Sequence, residues 1–345
     1  MKGVLTRFAA RMALATGCLL GCSQCADLLG LDLCEQQFAN LSFFSKGDCQ
    51  ITRSDAFRGH EWITFLGNDE LVPPDSFVDD EIKAIVEGNR RVDFPKELLV
   101  HLNAGVIPYA NALADYHNKE DNQSIHFLLD SRTYTPEAWQ MALDELEKLT
   151  REAVEAFGTD RLRGLTKIGR ACHLIQDSFS PAHSCRALPR GAGTTCDEEA
   201  ESPGGDWCVE RIKAYMPRDP SLRSKDLEMG VSFHGGALQD PDDEDDDDLE
   251  AIGHTTPQDS IYVPGRNCRD PGNAEDVWEC MNVPAKQAVC GTRDYLILVH
   301  ELARRGAVDE VETALACYVD HHMRLCGTPR PDCSQYTFEA CREDQ

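Results

Sequence analysis

One short segment carries three side chains that could bind the same metal ion. His173 and Asp177 are four residues apart, so on an α-helix both project from one face. Pro181 disfavours helix at the residue before it, so the chain is expected to bend before it presents His183. Zn²⁺ takes imidazole nitrogen and carboxylate oxygen as ligands at about 2.0–2.2 Å. The spacing therefore predicts a zinc site, and Gly169, one turn before His173, is expected to leave room above it.

The pattern His173-x3-Asp177-x3-Pro181-x-His183 resembles the central motif of the zinc-dependent phospholipases C and the related single-strand-specific zinc nucleases. These are all-helical enzymes that cleave phosphate esters around a cluster of up to three zinc ions. The resemblance implies that His173 and Asp177 hold one zinc and that Asp177 also contacts a second. It further implies that His183 begins another site.

Two earlier histidines extend the resemblance. His60, within residues 58–64, is similar to the family's early His, which is followed by an apolar helix. His126 precedes Phe127 and is similar to the family's His-Phe pair. Together these matches span residues 55–305, most of the chain after the N-terminal segment.

The family also needs an aspartate between these two histidines, as a zinc ligand and general base. Asp93 follows a predicted helix much as the family's Asp does. Asp115, in Ala114-Asp115-Tyr116, agrees better with the family's local sequence and is nearer His126 in the chain. Asp93 is favoured, and Asp115 stays open as the alternative.

After His183 the family supplies a further His, followed about one turn later by Glu or Asp. An acidic insertion interrupts that pattern in this chain. His254 with Asp259 is the expected pair, although they are five residues apart, and His234 with Asp240 is the alternative.

The N-terminus resembles a bacterial lipoprotein signal. Basic residues precede a short apolar stretch that ends in Leu19-Leu20-Gly21-Cys22, so residues 1–21 are predicted to be a signal peptide and 22–55 a Cys-bearing tether. A lipid on Cys22 would anchor the chain to a membrane, most simply the outer membrane of the cell envelope; an ordinary secretory signal is the alternative. The family's phospholipases use an N-terminal Trp as a metal ligand. An acylated Cys22 cannot supply one, so the site near His60 must be empty or completed differently.

Cysteine usage favours export. Of 16 cysteines, Cys18 falls in the signal and Cys22 would carry lipid, which leaves fourteen. This number is even, and no two CxxC pairs have the spacing of a zinc site, so disulfides formed in an oxidising compartment are expected.

Composition supports a folded domain and limits its partners. The chain is 41% hydrophobic, which is enough for a sizeable core, and its formal charge is −26. Such a charge disfavours electrostatic attraction to nucleic acid or anionic lipid, although bound metal ions can reverse the sign locally.

Helical periodicity predicts an all-α fold, a multi-helix bundle with long disulfide-stapled loops and, by the resemblance, of the zinc-dependent phospholipase C type. The helical domain is placed at 56–325, with an acidic loop insertion at about 216–253, and a Cys-bearing tail at 326–345. Loops rather than strands are expected over 184–283. The predicted helices are 135–157, with Thr135 as cap and Pro136 at the first position, and then 161–179, 284–306 and 307–325.

The resemblance implies a zinc-dependent phosphodiester hydrolase that binds up to three Zn²⁺ and cleaves phospholipid headgroup esters. Water activated by the metal would attack phosphorus, with Asp93 or Asp115 accepting its proton. A single-strand nuclease is the first alternative. Such an enzyme needs aromatic side chains on which bases stack, and only 7% of the residues are aromatic. A non-catalytic cell-surface zinc-binding protein is the second, and no obligate protein partner is inferred. His300, His321 and His322 are expected to be partly buried or surface histidines rather than ligands.

Overall fold

The structure is a computed structural model that describes residues 59–71, 76–104, 112, 115–117, 119–129, 134–187, 208–213 and 278–338. These residues are mostly helical, so the all-α prediction is confirmed at that level. None of the helices in these ranges is long and apolar enough to cross a bilayer. The α-helices are α1 (Gly59–Asp69), α2 (Asp79–Asp93), α3 (Thr135–Phe157), α4 (Arg161–Asp177), α5 (Val283–Arg305) and α6 (Val311–His322), and short 3-10 helices cover Lys96–Ala104, Glu120–His126 and Val308–Glu310.

The helix boundaries differ from the predicted ones where tertiary contacts intervene. Tyr134 is the N-cap of α3, and the hydroxyl of Thr135, expected to cap the helix, accepts instead from the Ile212 backbone N–H at 3.2 Å. Helix α4 ends at Asp177 rather than 179, because the chain turns before Pro181. Helix α6 is shorter than 307–325, since a 3-10 turn precedes it.

Two short strands lie within the segment predicted to contain only loops. β1 (Ser184–Arg186) pairs antiparallel with β2 (Val209–Ile212), Ser184 facing Ile212. The backbone of Val209 also bonds to that of Arg324 (2.7 Å) and Cys326 (2.8 Å). Strands this short are too brief to show an alternating pattern, so the sequence gives no signal for them.

Disulfides connect the tail to the domain. Cys208 is bonded to Cys326, and Cys317 in α6 is bonded to Cys333. Cys172 is a free, buried thiol in α4, so the even count of fourteen does not mean that every one of these cysteines forms a disulfide. Burial raises the pKa of the Cys172 thiol, which keeps it protonated and unreactive. The disulfides of Cys185, Cys280 and Cys290 complete the bonded set among the described residues.

Several predicted segments lie outside the described residues. They are the signal peptide 1–21, the tether 22–55, the acidic insertion 216–253 and the end of the tail beyond 338.

Helices α2 and α4 meet backbone to backbone. A Cβ atom added to Gly169 would lie 1.9 Å from the Ile85 carbonyl oxygen and 2.6 Å from the Asn89 nitrogen, and one on Gly88 would lie 2.4 Å from the Thr166 oxygen. The space above Gly169 is therefore filled by α2 itself. This close crossing brings Asn89 and the C-terminal end of α2 over the face of α4 that carries His173 and Asp177.

We expect Gly169→Ala to destabilise the protein by about 3 kcal/mol or more, because the added methyl group must push two helices apart. Gly158→Ala is the matched control, since its Cβ would have nothing within 4 Å. Urea unfolding followed by far-UV circular dichroism measures the difference. Equal unfolding midpoints for the two variants would contradict the close crossing.

Candidate metal centre

Six side chains predicted to be metal ligands converge in the interior. They come from α1, α2, the 3-10 helix that ends at residue 126, α4 and the turn that follows α4. Each is at most 1% exposed. The six are His60, Asp93, His126, His173, Asp177 and His183.

Asp177 is the centre of this cluster. Its Oδ1 atom lies 3.1 Å from His60 Nε2. Its Oδ2 atom lies 3.1 Å from His173 Nε2 and 3.3 Å from His126 Nδ1. One buried carboxylate therefore contacts three imidazole rings, with His60 on one oxygen and two histidines on the other.

The remaining members surround these atoms. His173 Nε2 lies 3.5 Å from Asp93 Oδ1 and 3.2 Å from His126 Nδ1. His183 Nδ1 lies 2.5 Å from the backbone oxygen of His126 and 3.8 Å from Asp177 Oδ2. Two overlapping groups, His60/Asp93/His173 and His126/His173/Asp177, each bring three potential ligand atoms within 4.8 Å of one another.

These separations fit a metal ion. Ligands bound at about 2.0–2.2 Å around a tetrahedral ion lie about 3.3–3.6 Å from one another. His126 Nδ1, His173 Nε2 and Asp177 Oδ2 lie 3.1–3.3 Å from one another, and Asp93 Oδ1 lies 3.5 Å from His173 Nε2. Imidazole nitrogens together with carboxylate oxygens are also ligands that suit zinc.

Buried amides orient two of the imidazole rings. The Asn89 Oδ1 atom accepts from His173 Nδ1 at 3.1 Å, and the Gln176 Oε1 atom accepts from His60 Nδ1 at 2.8 Å. These bonds place the proton on Nδ1 of each ring and turn Nε2 towards Asp177. Such partners are expected around metal-binding histidines, because they fix both the tautomer and the ring orientation.

A hydrogen-bond network fixes the amides in turn. Gln176 Nε2 donates to the hydroxyl oxygens of Thr64 (2.8 Å) and Thr292 (3.2 Å). Asn89 Nδ2 donates to Thr64 Oγ1 (2.9 Å) and to Gln176 Oε1 (3.0 Å). Because the amide nitrogens act as donors here, the amide oxygens are left to accept from the histidines.

The electrostatics of the cluster favour a cation. Burial acts to raise the pKa of Asp177, but its interactions with the surrounding imidazoles of His183, His173 and His60 outweigh burial, so this pKa lies well below its usual range. Burial lowers the pKa of His173 to about 4, which leaves the ring neutral. Burial likewise acts to lower the pKa of His60, yet the charges of Asp177 and Asp93 raise it above its usual value. The site is an ionised carboxylate pocket that attracts positive charge.

The turn after α4 is held by a buried arginine. Arg186 donates from Nε to the Ser178 backbone oxygen (2.7 Å) and from a terminal nitrogen to the Ser178 hydroxyl (3.0 Å). Its guanidinium lies 3.9 Å from the centre of the Phe179 ring. These contacts fix the turn that brings His183 next to Asp177.

The structure separates the two aspartates that the sequence left open. Asp93 is buried at the end of α2 within the cluster, whereas Asp115 is exposed and belongs to neither ligand group. The later pair His254 and Asp259, and the alternative His234 and Asp240, lie outside the described residues.

Several residues of the site have no sequence signal. His117 is buried, bonds through Nε2 to the Asp93 backbone oxygen at 2.8 Å, and has its ring centre 5.1 Å from that of His126. Asn89 and Gln176 are isolated polar residues in helical stretches. Only Gln176, beside Asp177 in the central motif, has a position that suggests a role.

Gln176→Met should weaken zinc binding about 10- to 100-fold, because it keeps the side-chain volume but removes the acceptor for His60. Gln140→Met is the matched control, as Gln140 is exposed on α3 and bonds only to Asp144 among the described residues. Competition with a chromophoric zinc chelator gives both affinities. Equal affinities in two folded variants would contradict the orienting role of Gln176.

The chain was compared with known proteins in three ways, by family, by sequence and by structure. It matches no protein-family model, no curated protein and no solved structure.

Proposed function

We propose that this cluster binds zinc and that the chain is a zinc-dependent phosphodiester hydrolase of the phospholipase C-like kind. The observation that carries the proposal is the approach of three imidazole nitrogens to the two oxygens of Asp177, with Asp93 beside them. A carboxylate with potential metal ligands at both of its oxygens is suited to bridge two neighbouring metal ions. The pattern of residue types along the chain agrees with the motif of the phospholipase C and zinc nuclease family.

The potential metal ligands divide into sets according to which of their atoms are available to a metal ion. His173 offers only Nε2, because its Nδ1 is bonded to Asn89. His126, His173 and Asp177 Oδ2 would hold one zinc, and His60 and Asp93, with Asp177 Oδ1, would contribute to a second. His183 would begin a third site, with ligands beyond the described residues.

Zinc in this cluster would supply Lewis acidity and activate water for attack on a phosphoryl group. Asp177 is poorly suited to accept a proton, since its pKa lies well below the usual range. Asp93 is the proposed general base. Its position is fixed at the end of α2, where its backbone oxygen accepts from His117.

A phospholipid is the favoured substrate. The lipobox-like sequence ending at Cys22 would place the enzyme at a membrane surface in the cell envelope, and the disulfides are compatible with export. The charge of −26 disfavours a long nucleic acid strand, so a single-strand nuclease is the less favoured use of the same chemistry.

One observation favours a second candidate function. His60, Asp93, His173 and Asp177 are fully buried. Structural zinc sites are closed by four protein ligands, whereas catalytic sites keep a position open to substrate. A non-catalytic zinc-binding protein of the cell surface would show the same burial.

The test compares the wild-type protein with Asp177→Asn, and with Asp144→Asn as a control on the exposed face of α3. We expect Asp177→Asn to lose zinc and to lower the hydrolysis of bis(p-nitrophenyl) phosphate by about 100-fold or more, because metal activation contributes several kcal/mol. Asp144→Asn should match the wild type. Zinc content is measured by elemental analysis and hydrolysis by the release of nitrophenolate.

The outcomes separate the candidates. Zinc-dependent cleavage of phosphatidylcholine in preference to single-stranded DNA supports the phospholipase, and the reverse preference supports the nuclease. Stoichiometric zinc without cleavage of any of the three phosphodiesters contradicts the enzyme and supports the binding protein.

A further inference from the structure

A second group of potential ligands lies at the C-terminal end of α6 and shares no residue with the central cluster. Asp294 Oδ2 in α5 lies 2.8 Å from His322 Nε2. Asp294, His321 and His322 each offer one ligand atom, and these atoms lie within 4.8 Å of one another. Asp294 and His322 are buried, at 2% and 6% exposure, whereas His321 is exposed.

The carboxylate of this group is already oriented. Arg293 Nε donates to Asp294 Oδ1 at 2.8 Å, which leaves Oδ2 on the side of the histidines. The same guanidinium bonds to Glu70 Oε2 at 3.3 Å, so a second carboxylate offsets its positive charge. Hydrogen bonding of a metal-binding carboxylate through its other oxygen is a common feature of metal sites.

Aromatic contacts hold the two imidazole rings. His321 stacks on Phe338, with ring centres 5.1 Å apart and an angle of 25° between the planes. The His322 ring centre lies 4.9 Å from that of Tyr318 and 4.5 Å from that of His321. Since rings that are already positioned lose little freedom on binding, this arrangement favours a ligand that both can contact.

We propose that Asp294, His321 and His322 form a separate binding site for a divalent transition-metal ion of the zinc class. Two imidazoles and one carboxylate suit such an ion better than calcium or magnesium, which prefer oxygen ligands. The ion would join α5 to the end of α6, and through the His321–Phe338 contact it would reach the C-terminal segment. Exposure of His321 leaves the fourth position to water.

This site is linked to the turn beside the central cluster through Arg186. A terminal nitrogen of Arg186 donates to the His322 backbone oxygen at 2.7 Å, while its other nitrogens bond to Ser178, the residue after Asp177. A metal ion that fixes the end of α6 would therefore also support this turn. We assign the site a stabilising role.

The sequence predicts partly buried or surface histidines at 321 and 322 rather than ligands. One ligand atom from each of Asp294, His321 and His322 nevertheless lies within 4.8 Å of the others, because Asp294 in α5 packs against the end of α6. The spacing of residues along the chain gives no signal for this contact between two helices.

The test is metal titration of the full-length protein after removal of bound metal with a chelator. Co²⁺ is the probe, and its d–d absorption reports the number of equivalents bound. His321→Asn should bind one equivalent fewer than the wild type. His101→Asn, which changes another exposed histidine, should bind the full number.

Asp177→Asn keeps this result independent of the central cluster. That variant should still bind the equivalent of Co²⁺ that depends on His321, and this binding should raise its unfolding temperature. The double variant Asp177→Asn/His321→Asn should not bind this equivalent, and Co²⁺ should not raise its unfolding temperature. Equal binding by His321→Asn and the wild type, with both folded by circular dichroism, would overturn the proposal. If the wild type binds a single equivalent of Co²⁺ and His321→Asn binds none, the site at the end of α6 is supported and the central site is refuted.

Discussion

The burial of one ionised carboxylate constrains the rest of the site. Asp177 is fully buried, and a charge in that position is strongly unfavourable unless opposite charge and hydrogen bonds compensate for it. Imidazole rings approach both of its oxygens, and two of these rings, His60 and His173, are turned towards it by hydrogen bonds from their other nitrogens. A cation among these atoms would compensate for the charge of Asp177. The ligand arrangement therefore follows from the electrostatics as much as from the motif.

Helix packing makes that arrangement possible. The two glycines at the crossing of α2 and α4 allow the helix backbones to touch, which places Asn89 and Asp93 on the face that carries His173. The side-chain amides of Asn89 and Gln176 hold the histidine rings in place, because each amide bonds to one histidine and to Thr64 in α1. The cluster is thus built mainly on helices, with only His183 in a turn, and helices favour precise geometry.

The sequence predicted the parts of the site that are local in the chain. Spacing of four on a helix, followed by a proline, was enough to predict that His173, Asp177 and His183 lie close together, and periodicity located α3, α4 and α5 to within a few residues. It could not decide between Asp93 and Asp115, since that choice depends on how α2 packs against α4. The short strands, the contacts of His117 and the free thiol of Cys172 depend equally on residues distant in the chain.

We propose that the protein binds zinc through imidazole and carboxylate side chains, with no cysteine ligand. Zinc K-edge X-ray absorption on the purified protein tests it most directly, because the distances from zinc to its ligands distinguish the ligand types. We expect zinc to have nitrogen and oxygen neighbours at about 2.0–2.1 Å, together with scattering from the more distant atoms of imidazole rings. A sulfur shell at about 2.3 Å, or no zinc in protein purified without chelators, would contradict it.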